Sequence, residues 1–119
     1  MAKVLVIDDS AVARMSLGST FREAGHEVVE AEDGARGIEA FREHRPDVVF
    51  LDLTMPVMDG FEALAHITRL DPKAKVIMVT GDTKPATLQR IEALRAFGHL
   101  RKFPTKDGLL NALAAALAG

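Results

Sequence analysis

The sequence predicts a single α/β domain built on a parallel β-sheet, and three observations support this. Short runs of apolar, often β-branched residues alternate with longer segments whose apolar residues recur at helical spacing. Several of the runs are unbroken, which is typical of strands buried on both faces. The connections are too short to hold a second domain, so residues 1–119 form one unit. Five strands and five helices in alternation imply right-handed crossovers and helices on both faces of the sheet.

The first strand and the first helix follow directly from the N-terminus. Residues 4–7 are an apolar run and form the first predicted strand. Ser10 is a residue type that favours the helix N-cap, and Gly25 suits the position just after a helix. The predicted core face of this helix carries Ala13, Leu17, Phe21 and Ala24.

A second strand–helix pair and a third strand come next. The second strand centres on residues 28–29, and Asp33-Gly34 is a turn signal before the second helix. Pro46 ends that helix, and the four consecutive apolar residues 48–51 form the third strand. The predicted core face of the second helix carries Ala35, Ile38 and Phe41.

The second half of the chain repeats the alternation. The third helix stops at Pro72, residues 75–80 form the fourth strand, and Pro85 suits the first turn of the fourth helix. Residues 98–102 form the weakest predicted strand, and Thr105 is a possible cap for the last helix. The core faces of these helices are predicted to carry Phe61, Leu64, Ile67 and Leu70, then Leu88, Ile91 and Leu94, then Leu109, Leu110, Leu113 and Leu117.

Composition excludes several classes of function. The chain has no cysteine, so disulfide and thiolate chemistry are excluded. Its net charge of -2 argues against a general nucleic-acid or anionic-membrane binder, which needs a basic surface. No apolar run approaches the roughly 20 residues that span a bilayer, and the acidic residues follow the N-terminus too closely for a signal peptide. We therefore expect a cytoplasmic protein.

Carboxylates follow two of the predicted strands. Asp8 and Asp9 end the first strand and Asp52 ends the third, while Thr80 ends the fourth and Lys102 the fifth. In open α/β sheets, ligands bind beyond the carboxyl ends of the strands. If the first strand lies beside the third, three carboxylates converge, and protonation or a cation must relieve their repulsion. Oxygen ligands of this kind suit Mg²⁺, and Mn²⁺ would serve similarly.

Such a cluster can perform phosphoryl chemistry. A carboxylate beside Mg²⁺ can act as a nucleophile toward a phosphoryl group, and the catalysis is then mainly positioning and charge neutralisation. Mg²⁺ would neutralise two phosphoryl oxygens, Lys102 could neutralise a third, and Thr80 could donate a hydrogen bond. Taken singly, Asp52 would be read as a helix cap or a solvated strand end.

The chain resembles a response-regulator receiver domain over essentially its whole length. The motifs that carry the resemblance are Asp8-Asp9, the segment 52–60 with the sequence DLTMPVMDG, and Thr80-Gly81. The segment 52–60 is highly specific, whereas paired aspartates alone would be weak. The resemblance implies a flavodoxin-like, doubly wound (βα)5 sandwich with the strand order 2-1-3-4-5.

The resemblance also implies roles for the site residues. Asp52 would be phosphorylated by a histidine kinase or a phosphotransfer protein. Asp9 and Asp52 would bind Mg²⁺ directly, Asp8 mainly through water, and the Thr54 backbone carbonyl would be a further ligand. Thr80 would move toward the phosphoryl group and couple the site to a distant surface. The residues two positions past the acceptor and past Thr80, which are Thr54 and Asp82, would tune the rate of dephosphorylation.

Receiver domains meet partners through the face formed by the fourth helix, the fifth strand and the fifth helix. The resemblance therefore implies a downstream protein target at this face, and a homodimer is possible there. It implies no direct contact with nucleic acid or membrane. Nor does it imply an enzyme beyond catalysis of its own phosphorylation and dephosphorylation.

The end of the fifth strand departs from the family pattern. The family normally has Lys-Pro there, often joined by a cis peptide, whereas this chain has Lys102-Phe103-Pro104. Lys102 keeps the family's spacing from Thr80 and is our candidate for the phosphate-contacting lysine; the alternative is that Lys106 or nothing replaces it. Whether Phe103-Pro104 is cis is open at this point. His99 occupies the position of the usual switch aromatic, and an exposed histidine on an edge strand is the competing interpretation.

Two other functions stay open from the sequence. One is a degenerate receiver that binds a protein without any phosphoryl group, which the altered end of the fifth strand allows. The other is a small Mg²⁺-dependent phosphohydrolase with Asp52 as nucleophile. Such enzymes usually carry a second aspartate two residues further on, where this chain has Thr54.

Overall fold

The apolar runs of the sequence form one five-stranded parallel sheet in the computed structural model, which describes residues 1–119. The strands are β1 (Lys3–Ile7), β2 (Glu27–Ala31), β3 (Val48–Asp52), β4 (Val76–Thr80) and β5 (Gly98–Arg101). Their order in the sheet is β2-β1-β3-β4-β5, and every neighbouring pair is parallel. The predicted fold class and strand order are therefore confirmed.

Four of the five helices begin after a residue whose side chain caps them, and the fourth helix is the exception. They are α1 (Ala11–Glu23), α2 (Gly34–His44), α3 (Gly60–Leu70), α4 (Pro85–Ala93) and α5 (Lys106–Ala118). The Ser10 hydroxyl accepts a hydrogen bond from the backbone N–H of Ala13 at 3.2 Å, and Thr105 caps α5 in the same way. Gly25 follows α1 with a φ of 90°, a left-handed conformation that favours glycine.

The core lies on both faces of the sheet, which gives three layers. Helices α1 and α5 cover one face, where Phe21 of α1 packs on Phe50 of β3 with ring centroids 4.7 Å apart. Helices α2, α3 and α4 cover the other face. All five residues of β3 and of β4 are buried, because these central strands have helices on both sides.

Some residues that were predicted to face the core are exposed instead. They all lie in the first or last turn of a helix or directly after it. Leu70, the last residue of α3, is 39% exposed, and Leu117, near the end of α5, is 46% exposed. Ala24, at the end of α1, and Ala35, in the first turn of α2, are exposed as well. The helical spacing identified the buried stripe correctly only over the middle of each helix.

The predicted bounds of the last strand are corrected by one residue. β5 ends at Arg101, so the predicted strand is confirmed except that Lys102 lies one residue beyond it. No helix of the structure combines the length and the apolar character that crossing a bilayer requires.

Candidate functional site

The pairing of β1 with β3 places three carboxylates at one edge of the sheet. Ile7 pairs with Leu51, so Asp8 leaves β1 beside Asp52, the last residue of β3. The carboxylate oxygens of Asp8, Asp9 and Asp52 include a set that lies within 4.8 Å of one another. The convergence expected from the sequence is therefore present.

The pairing of β4 with β5 brings the other two site residues to the same edge. Thr80 ends β4 and pairs with Arg101, and the backbone N–H of Lys102 donates to the Thr80 carbonyl at 2.9 Å. The Lys102 side chain then crosses to β3, where its Nζ lies 2.8 Å from Asp52 Oδ1. Parallel strands whose carboxyl ends share one edge thus assemble the site from distant parts of the chain.

Asp52 is nearly completely buried, with 2% of its surface exposed. Neither carboxylate oxygen accepts a hydrogen bond of good geometry, and the contact of Oδ1 with Lys102 Nζ is an ion pair. A buried carboxylate without hydrogen bonds is costly, because its charge has lost the solvation that water provides. Asp52 is therefore held in a state that an incoming ligand with positive charge would stabilise.

The pKa values reflect this balance. Burial raises the pKa of Asp52, helped by the nearby Asp8 charge and opposed by Lys102. Burial also raises the pKa of Asp8, although the backbone N–H of Ser10 donates to its Oδ1 at 2.9 Å and favours the charged form. For Lys102, burial lowers the pKa, but the close ion pair with Asp52 and the attraction of the neighbouring carboxylate charges outweigh it, so the pKa is raised overall. The two partners differ because Asp52 is much more deeply buried than Lys102, whose side chain is 25% exposed.

The two candidate lysines contact different parts of the molecule. Lys102 reaches the carboxylate cluster, whereas Lys106 Nζ lies 3.4 Å from Glu23 Oε2 on the surface. The cis peptide of this segment joins Lys102 to Phe103, and the bond between Phe103 and Pro104 is trans. The shifted proline therefore does not displace the lysine from the site.

The Thr80 hydroxyl is buried at the site but is engaged elsewhere. It donates to the backbone carbonyl of Asp82 at 3.1 Å and accepts from the backbone N–H of Asp82 at 2.9 Å. The Asp82 carboxylate in turn contacts the start of α4, with Thr87 Oγ1 donating to Asp82 Oδ2 at 2.8 Å. Thr87 was not singled out from the sequence. A signal was available, because an aspartate three residues before a proline at the start of a helix is well placed to cap that helix.

The loop after β3 is fixed by a close backbone approach. The backbone N–H of Gly60 donates to the Leu53 carbonyl at 2.7 Å, and a Cβ at Gly60 would lie 2.5 Å from the Asp52 carbonyl oxygen. Only glycine permits this approach, which brings the start of α3 against the end of β3. Met55 is buried, and Met58 lies against Gly34, as expected for residues that pack the loop.

His99 lies on β5, opposite Met78 in the register, and is exposed. Its side chain is therefore on the outside of an edge strand, away from the core.

The donor set fits a hard divalent cation. Asp8, Asp9 and Asp52 offer carboxylate oxygens, and neither Asp52 oxygen accepts a hydrogen bond that a metal would have to displace. The Thr54 carbonyl accepts no hydrogen bond from any other group of the protein. Oxygen-only ligands in small number are what Mg²⁺ takes from proteins, with water completing its shell. The residues present therefore fit Mg²⁺ or Mn²⁺.

Comparison with known proteins identifies the family. The sequence model of the response regulator receiver domain matches residues 4–114. The chain belongs to the response regulator receiver family. This receiver domain is 40% identical over 95 residues to the chemotaxis protein CheY of Thermotoga maritima, covering 79% of this chain and 78% of that protein. It is 31% identical over 121 residues to the protein PilH of Pseudomonas aeruginosa, and the match covers 100% of both.

Solved structures agree with this assignment. The receiver domain superposes on the chemotaxis protein CheY4 of Vibrio cholerae with a TM-score of 0.94 and 35% sequence identity. The match covers 98% of this chain and 99% of that chain. A response regulator receiver domain protein from Clostridium thermocellum gives the same TM-score at 31% identity, covering 99% of this chain and 95% of that one. The architecture and the family are therefore established together.

Proposed function

We propose that this receiver domain is a Mg²⁺-dependent phospho-switch whose acceptor is Asp52. The observation that carries the proposal is the state of that side chain. Asp52 is buried, its oxygens accept no hydrogen bond of good geometry, and it lies between two carboxylates and the Lys102 ammonium group. A nucleophile with free oxygen atoms and flanking positive charge is what phosphoryl transfer to a carboxylate requires.

The transfer step is balanced by the donor's own leaving group. An Asp52 oxygen forms a bond to phosphorus as the phosphorus–nitrogen bond of a phosphohistidine breaks, and the bonding electron pair leaves with the imidazole nitrogen. Lys102 holds positive charge beside the acceptor oxygen, so it is placed to neutralise a phosphoryl oxygen. Asp8, Asp9, Asp52 and the Thr54 carbonyl would hold Mg²⁺, which supplies charge neutralisation when bound. The phosphoryl donor in this proposal is a histidine kinase or a phosphotransfer protein.

The output follows from the added charge. A phosphoryl group brings negative charge and strong hydrogen-bond acceptors to a site that Thr80 and Lys102 border, and these side chains reorganise around it. We propose that the face formed by α4, β5 and α5 then binds a downstream protein or a second copy of the chain. The roles of Thr54 and Asp82 in setting the phosphorylation lifetime, and of His99 as a switch residue, belong to the same proposal.

Intact-mass spectrometry after incubation with acetyl phosphate tests the proposal. We expect one phosphoryl adduct that forms with Mg²⁺, fails to form in excess chelator, and is absent in Asp52→Asn. The matched control is Asp107→Asn, which removes a carboxylate from the first turn of α5 and should leave the adduct unchanged. A folded wild-type protein that takes up no phosphoryl group, with short-lived adducts excluded by rapid quenching, would favour a module that signals without phosphate.

A further inference from the structure

The Thr80 hydroxyl already donates its one proton in a hydrogen bond in this structure. A hydroxyl group has one proton to donate, and the Thr80 proton is directed to the Asp82 backbone carbonyl at 3.1 Å. The same oxygen accepts from the Asp82 backbone N–H at 2.9 Å. The N–H and the C=O of Asp82 are therefore both hydrogen-bonded to the Thr80 hydroxyl. Thr80 can donate to a phosphoryl group on Asp52 only if its bond to the Asp82 carbonyl breaks.

The Asp82 side chain holds the start of α4. Its Oδ1 accepts from the backbone N–H of Lys84 at 3.0 Å, and its Oδ2 accepts from the Thr87 hydroxyl at 2.8 Å. Lys84 is the N-cap residue of α4, and its backbone N–H is one of the donors at the helix start that have no partner within the helix, so the Asp82 carboxylate satisfies it. We name these two hydrogen bonds the Asp82 clasp. They also lower the pKa of Asp82, the Lys84 bond most and the Thr87 bond next, which keeps the carboxylate ionised.

Helix α4 attaches to the rest of the domain mainly through apolar contacts. Ile91 is its one buried residue, the half-buried Leu88 also packs against the core, and the guanidinium of Arg90 lies 4.0 Å from the centroid of the Phe61 ring on α3. At the first turn, the clasp supplies the side-chain hydrogen bonds that link α4 to the end of β4.

We infer that the Asp82 clasp is a latch that couples the Thr80 hydroxyl to the first turn of α4 and holds the unphosphorylated arrangement. This inference deepens the proposed function and rests on it for its link to phosphorylation. When the Thr80 side chain turns toward the acceptor site, its hydroxyl moves away from Asp82 and both backbone hydrogen bonds are lost. The Asp82 carboxylate is then no longer held in position for the clasp. Coupling of this kind is reciprocal, so breaking the clasp from the α4 side must favour the turned position of Thr80. Asp82 and Thr87 are thus positioning residues, which act through Thr80.

The variant Thr87→Val tests the latch because it removes the hydroxyl and keeps the shape of the side chain. Its matched control is Thr83→Val, the same change in the same loop at a hydroxyl that takes no part in the clasp. With Mg²⁺ present, we expect Thr87→Val to bind beryllofluoride, a phosphoryl mimic, about 2- to 10-fold more tightly than wild type, the range of one hydrogen bond. Thr83→Val should match wild type. The titration is followed by the NMR signals of the α4 amides.

A second measurement needs no phosphoryl mimic. In the unphosphorylated protein, the backbone N–H of Leu88 donates to the Lys84 carbonyl at 3.1 Å and reports on the first turn of α4. We expect its hydrogen exchange to accelerate about 2- to 10-fold in Thr87→Val and also in Thr80→Val. Because both changes break one network, the double variant should exchange more slowly than the product of the single effects predicts.

The outcomes separate the latch from the proposed function. A wild-type protein that binds neither phosphoryl group nor beryllofluoride refutes the proposed function, and the exchange measurements then decide the latch alone. The latch is refuted if Thr87→Val exchanges like Thr83→Val. It is also refuted if a wild type that binds beryllofluoride shows the same affinity as Thr87→Val.

Discussion

The ammonium group of Lys102 lies 2.8 Å from Oδ1 of Asp52, although β4 lies in the sheet between β3, which Asp52 ends, and β5, which Lys102 follows. The lysine side chain therefore spans the end of β4 to reach the Asp52 carboxylate. This ion pair is the one polar contact that the Asp52 side chain makes, so the charge on Asp52 is balanced by a single residue.

Removing that residue should affect both stability and chemistry. Lys102→Gln leaves a buried carboxylate without its partner, so we expect the free energy of unfolding to fall by about 1–3 kcal/mol in chelator. We also expect phosphorylation by acetyl phosphate to slow at least about tenfold, because Lys102 no longer neutralises the transferred group. Urea denaturation and timed intact-mass spectra measure the two effects. Lys106→Gln, at a surface lysine that contacts Glu23, should change neither quantity.

The raised pKa of Asp52 predicts an unusual pH dependence of stability. The folded protein holds a proton on Asp52 more tightly than the unfolded chain, so in metal-free protein the contribution of Asp52 to stability falls as pH rises above the ordinary value of 3.8. Asp52→Asn removes this penalty. The variant should therefore be more stable than wild type at pH 7 in chelator, by an amount that shrinks as the pH approaches 3.8.

Thermal denaturation of both proteins between pH 4 and pH 8 checks this, with the melting temperatures compared at each pH. A wild-type protein that is more stable than Asp52→Asn across the whole range would contradict the prediction. Asp107→Asn serves as the control for loss of a surface carboxylate and should show a difference that does not grow with pH.

Magnesium should stabilise the folded protein through the same carboxylates. A ligand that binds only the folded state adds about 2.7 kcal/mol at a concentration 100 times its Kd. We expect Mg²⁺ to raise the melting temperature of wild type and to have little effect on Asp9→Asn, which loses an exposed carboxylate of the cluster. Differential scanning calorimetry with and without Mg²⁺ measures this. An equal rise in both proteins would place the bound ion elsewhere.

The close backbone approach in the loop after β3 can be tested at Gly60, with Gly81, which follows β4, as the control. Gly60→Ala places a Cβ 2.5 Å from the Asp52 carbonyl oxygen and 2.6 Å from the Leu53 Cα, so backbone must shift. We expect a loss of about 1–3 kcal/mol in the free energy of unfolding. Gly81→Ala meets no heavy atom within 4 Å and should change stability by less than about 1 kcal/mol. Equal losses in urea denaturation would contradict this explanation.

The sequence predicted which residues meet at this edge of the sheet because their placement depends on the fold class alone. Asp8, Asp52 and Thr80 each follow a buried strand, and any parallel sheet brings such residues to one edge. Lys102 could be assigned only with the help of the family spacing, since a one-residue shift of the proline left two lysines as candidates.

Contacts that depend on side-chain direction could not be predicted in this way. The bond from Thr87 to Asp82 exists because the connection between β4 and α4 places the Asp82 carboxylate beside the first turn of α4. The exposure of Leu70 and Leu117 depends on what the rest of the domain covers near the helix ends, which helical periodicity does not report. Such features are fixed by tertiary geometry rather than by local pattern.

The bond between Gly60 and Leu53 also determines where the chain can change in length. This hydrogen bond joins the two ends of the segment 53–60, which connects β3 to α3. An added residue within 54–59 would break the bond or move the Thr54 carbonyl. The connections at the opposite end of the strands, such as residues 45–47 and 71–75, contribute none of the clustered carboxylates. Asp47 is bonded to β1 there, because its N–H donates to the Lys3 carbonyl and its Oδ2 accepts from the Lys3 N–H, each at 2.8 Å. Insertions that keep these two bonds should therefore be accepted at that far end, which makes it the place to attach a reporter or a fused domain without altering the carboxylate cluster.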